Sequence, residues 1–180
     1  MARAQRDVAP GMFHVSTHSV WTSVLFKDDI DRMLLIGELA KTAARLRWNC
    51  VAVCLMTTHY HLIVETPDAS MPVGMKQLNL THACRFNARH RLQGHVVDGR
   101  YWARRLVSDT DLLTTFRYVA RNPVEAGICR SPGQWPWSSY RALAEGAETF
   151  TFVDPSPVIR CFRPPDAAVE QLCRYVESPW

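Results

Sequence analysis

Met56-Thr57-Thr58-His59-Tyr60-His61-Leu62-Ile63-Val64-Glu65 reads as a β-strand, rich in β-branched and aromatic residues and followed by the breaker pair Pro67-Asp68. Side chains two apart on a strand share a face at a spacing of about 6.6 Å. His59 and His61 therefore project together, close enough for both imidazoles to meet one ion. Tyr60, Leu62 and Val64 take the opposite face and are expected to pack against helices. Imidazole is the commonest protein metal ligand, but paired histidines also decorate half-exposed strands. The pair needs a partner elsewhere in the chain.

Working outward, Cys50 to Met56 is a near-continuous apolar run, as in a sheet centre. Only two residues separate it from His59, so the two strands should form a hairpin. Upstream, residues 11–20 alternate loosely and read as a first strand. Asp28-Asp29 begin a helix to about Arg47, with acidic residues at its positive end. Downstream come a helix from Pro72 to Arg91, a loop from Gly94 to Gly99 and a strand from Arg100 to Val107. This β-α-β-β-α-β order predicts an α+β fold, a ferredoxin-like antiparallel sheet with helices on one face. The other face is expected to be open, with the histidines on it. A third helix, a turn around Trp135-Pro136-Trp137, a short helix from Ser138 to Glu145 and a terminal helix from Asp166 to Glu177 follow. The expected organisation is a domain over residues 1–145 and a C-terminal extension over 146–180.

Composition narrows the class. The 180 residues are 47% hydrophobic and 21% charged, which indicates a soluble globular chain. No apolar run approaches the roughly 20 residues of a membrane span. MARAQRDVAP lacks the apolar core of a signal peptide. Six cysteines without C-x-x-C spacing read as reduced core residues of a cytoplasmic protein. Net charge is +4, and its distribution is uneven. Lys76, Arg85, Arg89, Arg91, Arg100, Arg104 and Arg105 fall in one segment opposed only by Asp98, with Phe86, Tyr101 and Trp102 among them. Guanidinium forks grip phosphates and aromatic faces accept unstacked bases. Lys76, Arg85, Arg89, Arg100, Tyr101, Arg104 and Arg105 are the candidate nucleic-acid contacts, against the plainer reading of a solvated basic face.

The third helix supplies the missing partner. Ser108-Asp109-Thr110-Asp111 is a capping-box-like start. At 100° per residue, Leu112, Leu113, Phe116, Val119 and Ala120 form one apolar stripe about 120° wide. Tyr118 and Asn122 lie off that stripe, one turn apart, and Pro123 is expected to end the helix. A tyrosine covering a neighbouring loop is the plainer account of Tyr118.

These residues resemble a known family. His59-Tyr60-His61 is similar to the HUH motif (histidine, bulky hydrophobic, histidine) of single-tyrosine transposases. Phe116 to Gly127 resembles the "RYI-x-x-NPV-x-AG" helix of their REP-associated branch. Gly94-His95 with Gly99-Arg100-Tyr101 resembles its "GHLWQGRF" segment, and Trp135 to Tyr140 its "YPWSSY" segment. Met1-Ala2-Arg3 and Pro10-Gly11 through His14-Val15 follow its opening pattern. The resemblance covers residues 1 to about 145. Thr57-Thr58 stand where the family has Pro-Asn, and Thr17-His18-Ser19 where it has an Arg-Gly.

The resemblance implies a ferredoxin-like enzyme that cuts and rejoins single-stranded DNA at imperfect palindromes. By position, His59, His61 and Asn122 would be metal ligands and Tyr118 the nucleophile, passing through a 5′-phosphotyrosine. The partner would be single-stranded or hairpin DNA, with no membrane, and the assembly a monomer or homodimer. A phenol of pKa near 10 is only about 0.1% ionised at neutral pH, so a divalent cation that polarises the phosphate is expected. Mg²⁺ prefers oxygen ligands, and two imidazoles suit Mn²⁺ at least as well. Two other readings remain at this point. One is a non-catalytic ferredoxin-like module that binds nucleic acid. The other is metal-dependent hydrolysis by water, which leaves no covalent intermediate.

Overall fold

A computed structural model describes residues 9–21 and 23–178. Its elements, in order, are β1 (Gly11–His18), α1 (Asp29–Leu46), β2 (Asn49–Leu55), β3 (His59–Thr66), α2 (Met71–His90), β4 (Trp102–Arg105), α3 (Asp109–Glu125), α4 (Ser139–Glu145), α5 (Ser156–Ile159) and α6 (Ala168–Glu177). The strands form one sheet in the order β2-β3-β1-β4 with every neighbouring pair antiparallel. This is the ferredoxin-like arrangement read from the sequence.

Local chemistry sets the helix ends. Asp28 caps α1 by accepting the Asp31 N–H at 3.0 Å, and Asp29 and Asp31 sit in its positively polarised first turn. Arg47, at φ 55°, closes it in the left-handed conformation. Ser108 caps α3 in the same manner through the Asp111 N–H. Pro123 does not end α3 as expected but lies inside its last turn. Losing one N–H there is tolerated because the chain closes around it. The Ala126 N–H reaches the Asn122 carbonyl at 3.0 Å, and the Ile128 N–H reaches that of Pro123 at 2.9 Å.

One sheet face carries the first core. Phe13, Val15, Tyr60, Leu62 and Val64 meet Leu35 and Leu39 of α1 and Met75, Leu78 and Phe86 of α2. The other face is not open, contrary to expectation. Val51, Ala52, Cys54 and Ile63 make its β2–β3 half apolar, and that half is covered. A bulge between Cys50 and Ala52 helps place Val51 and Ala52 together on this side. Leu112, Phe116, Val119 and Ala120 of α3 pack there, with Tyr140 of α4 and Leu172 and Val176 of α6. The polar half of the face, over β1, β3 and β4, stays accessible as a cleft beside α3.

The C-terminal segment braces α3 directly. Leu172 and Val176 are fully buried. Arg117 donates to the Ser178 carbonyl at 2.6 Å, and Arg121 to that of Val176 at 3.2 Å. Trp135 donates its indole N–H to the Leu55 carbonyl at 2.9 Å, and Trp137 packs on the first core, so both tryptophans are anchors. The cysteines differ from the all-core expectation. Cys50 and Cys54 are buried, Cys84 is exposed and the other three are half-buried, all as free thiols. Among the described residues no helix is long and apolar enough to cross a membrane.

Candidate active site

The cleft is built on strand alternation. Phe13, Val15 and Thr17 point to the first core, so His14, Ser16 and His18 point to the cleft. Register does the rest. His18 lies directly across from His59, and Ser16 across from His61. Four imidazoles therefore share one small patch of sheet. His18 stacks on His59 with ring centroids 4.9 Å apart, and the His59 and His61 rings stand 5.0 Å apart, nearly perpendicular. His14 Nε2 lies 3.1 Å from His61 Nδ1.

α3 closes the other wall. Its apolar stripe seats it on β2 and β3, which turns Tyr118 and Asn122 toward the histidines. The Tyr118 ring stands edge-on to His61 at 5.4 Å and to His14 at 5.8 Å, and it is 42% exposed. Asn122 Oδ1 lies 3.1 Å from His59 Nε2, within hydrogen-bond distance, with the His59 tautomer deciding where the proton sits. Trp102 and Arg104 of β4 and Thr115 of α3 complete a cleft of about 810 Å³. The structure thus brings together the four residues expected as nucleophile and metal ligands, Tyr118, His59, His61 and Asn122.

Burial disfavours the charged form of three of these imidazoles, His14, His59 and His61. Desolvation, with the Arg104 charge nearby, lowers the His14 pKa to about 4. Burial, then the neighbouring His14, His59 and His18, lowers that of His61 to about 2. Burial also lowers that of His59, opposed in part by its bond to Asn122. Neutral imidazoles offer lone pairs, the form a metal requires. The donor set fits a divalent cation on a further count. Among the described residues, His61 Nε2 is buried without a hydrogen-bond partner, a costly state for a polar atom. A cation between His61, His59 and the Asn122 oxygen would satisfy it.

The basic segment does not form one surface. Only Arg104 lines the cleft, where it donates to Thr115 at 2.9 Å and pairs with Asp111 at 3.3 Å. Lys76, Arg100 and Tyr101 line a second groove, of about 660 Å³, between α2 and the loop before β4. Tyr101 is buried in the first core, which removes it as a base-stacking surface. The half-exposed Trp102 offers that face instead, with its ring edge 5.2 Å from His14. Arg85 pairs with Glu38, and Arg89 with Asp28 and Asp31, so α2 spends these charges on α1. Arg105 donates to the carbonyls of Ala9 and Pro10. Asp28, Asp31 and His90 converge tightly enough to suggest a second metal position, but the Arg89 guanidinium already compensates their charge.

Reading the sequence missed His14, His18, Ser16 and Thr115. A signal for the first three was present in the loose alternation of Phe13, Val15 and Thr17 with His14, Ser16 and His18. Thr115 carried none, since its place in the cleft depends on how α3 docks.

Comparison with known proteins agrees with this geometry. Over 81% of its length the chain superposes on 87% of a solved structure described as a REP-associated tyrosine transposase bound to a REP hairpin, with a TM-score of 0.67 at 18% identity. At that identity the likeness concerns the fold. A Haemophilus influenzae protein named as a REP-associated tyrosine transposase is 28% identical over 112 residues, 56% of this chain. The match spans 63% of that relative's length. Residues 12–122, which run from β1 through Asn122 and so hold both histidine pairs and Tyr118, match the model of one family, and on that match the chain belongs to the IS200-like transposases.

Proposed function

We propose that the chain is a divalent-cation-dependent endonuclease and strand transferase acting on single-stranded DNA at imperfect palindromes, with Tyr118 as nucleophile. The observation that carries this reading is the half-exposed Tyr118 ring beside His61, in the same cleft as His59 and Asn122. A tyrosine kept only for packing would not be turned toward a cluster of neutral imidazoles.

His59, His61 and Asn122 would hold the cation, which when bound polarises a non-bridging phosphate oxygen. The chain's own groups do the rest. Arg104, at the cleft wall, offers a fork to a flanking phosphate, and Trp102 offers a face to an unpaired base. α3, seated by its buried stripe, fixes Tyr118 against the phosphate, which makes attack effectively unimolecular. The Tyr118 Oη–P bond forms as the P–O3′ bond breaks. The phenolic proton is lost and the leaving oxygen gains one, so the products are a 5′-phosphotyrosine and a free 3′-hydroxyl. Attack by another strand's 3′-hydroxyl reverses the step with no external energy source.

The test mixes the protein with a labelled DNA hairpin bearing a single-stranded flank, plus Mn²⁺ or Mg²⁺. A detergent-stable protein–DNA adduct is expected, and EDTA should prevent it. Tyr118→Phe should abolish cleavage and the adduct while leaving the thermal midpoint nearly unchanged, because the variant loses only a hydroxyl on an exposed ring. The same sequence as a perfect duplex should be cut poorly, since its backbone cannot bend into the cleft. An adduct in the Phe variant, cleavage that survives EDTA, or equal cleavage of duplex and hairpin would each refute the proposal.

A further inference from the structure

β1 contributes its own histidine contact to the cleft. His14 and His61 meet through ring nitrogens 3.1 Å apart, across adjacent strands and on a diagonal, since Ile63 lies directly opposite His14. Ser16, directly opposite His61, is small enough to leave that diagonal open. His14 is held firmly. It is 6% exposed, with the Trp102 ring edge-on at 5.2 Å and the Tyr118 ring at 5.8 Å.

A nitrogen–nitrogen hydrogen bond between imidazoles contains one proton, and its position decides what His61 can do. If the proton belonged to His14 Nε2, neutral His61 would carry its own on Nε2. That would be a buried N–H with no acceptor among the described residues, which is rare in folded proteins and unable to bind a cation. If instead it belongs to His61 Nδ1, then Nε2 is a bare lone pair facing the cleft.

We propose that His14 is a positioning residue for His61: its Nε2 accepts the His61 Nδ1–H, which holds His61 in the tautomer whose Nε2 can ligate. The inference rests on the metal-dependent reading above and deepens it. Ligating histidines usually donate their second N–H to a carboxylate, a carbonyl or water. A neutral imidazole in that place orients the ring without adding negative charge beside a phosphodiester. A carboxylate there would repel the substrate that the cleft must admit.

Mn²⁺ affinity, measured by titration calorimetry on the full chain in the absence of DNA, tests this. His14→Phe keeps a ring but removes the acceptor, and should weaken Mn²⁺ binding by about 10- to 100-fold. His14→Gln returns an acceptor oxygen near the lost nitrogen and should restore affinity to within a few-fold of wild type. Long-range ¹H–¹⁵N spectra of the metal-free wild type should show His61 protonated on Nδ1 and bare on Nε2, a readout that needs no variant to fold. Unchanged affinity in His14→Phe, failure of His14→Gln to rescue, or a His61 Nε2–H tautomer would each overturn the assignment while leaving the metal reading intact. Wild-type protein that binds no Mn²⁺ would overturn both.

Discussion

Replacing Leu172 by alanine should destabilise the protein and misplace its nucleophile, although Leu172 lies on the terminal helix. The side chain is fully buried on α6 within the core that seats α3, among Val51, Phe116, Tyr140 and Val158. Alanine removes three carbons, about 2.4 kcal/mol of burial at roughly 0.8 kcal/mol each. The residual cavity adds to this, because the core closes only in part, for a total of about 3–4 kcal/mol. Against a usual stability of roughly 5–15 kcal/mol the loss is large but survivable. In urea the midpoint should fall by about 1–2 M with an unchanged slope. Adduct formation should slow more than Mn²⁺ binding weakens. Tyr118 is carried by α3, which the substitution loosens, while His59 and His61 are carried by the sheet. A midpoint within about 0.2 M of wild type would show that α6 does not brace α3. A parallel loss of metal affinity would show that the damage is global.

Asn122→Ala removes the acceptor of the His59 Nε2 bond. It should cost about 1 kcal/mol of stability and weaken Mn²⁺ binding less than His59→Ala does, because an amide oxygen is a poorer ligand than imidazole; a larger loss for Asn122→Ala in calorimetry would reverse that order. Acid should weaken the metal-free protein early. His14 and His61 have folded pKa values of about 4 and about 2 against an ordinary 6.5, so below pH 6.5 the unfolded chain takes up protons that the folded chain refuses. Their stabilisation is complete above pH 6.5 and falls as pH drops toward 4, by up to about 1.4 kcal/mol per pH unit for each histidine. Urea midpoints at pH 7.5, 5.5 and 4.5 should decline accordingly, and a flat series would mean that both rings accept protons inside the fold.

Much of the fold was legible because period and punctuation agreed. The alternation around His59 to Glu65 and the stripe from Leu112 to Ala120 each named a buried face, and both faces are buried as read. What escaped was the partner of each surface. Val51, Ala52 and Cys54 look like any central strand, and nothing local says that helices from residues 109–177 return to cover them. Charge misled for a related reason. Arg85 and Arg89 sit in a basic run along the chain, but their acidic partners Glu38, Asp28 and Asp31 lie far upstream, on or just before α1. Tyr101 and Trp102 are neighbours with opposite fates, because one residue along a strand reverses the face. The candidate site was half legible. One imidazole pair was signalled by its spacing, whereas the β1 pair joins it only through strand register.

That register also limits how the gene can vary in length. β1 and β3 pair without interruption from Gly11 opposite Thr66 to His18 opposite His59. One codon inserted or deleted within either strand would turn the following side chains to the other face, carrying imidazoles into the apolar core and residues such as Val15 or Leu62 into the cleft. β2, at the sheet edge, already absorbs an irregularity between Cys50 and Ala52. Relatives of this chain should therefore differ in length at β2 and in the loops, and keep residues 11–18 and 59–66 free of gaps even where most of the identities have changed.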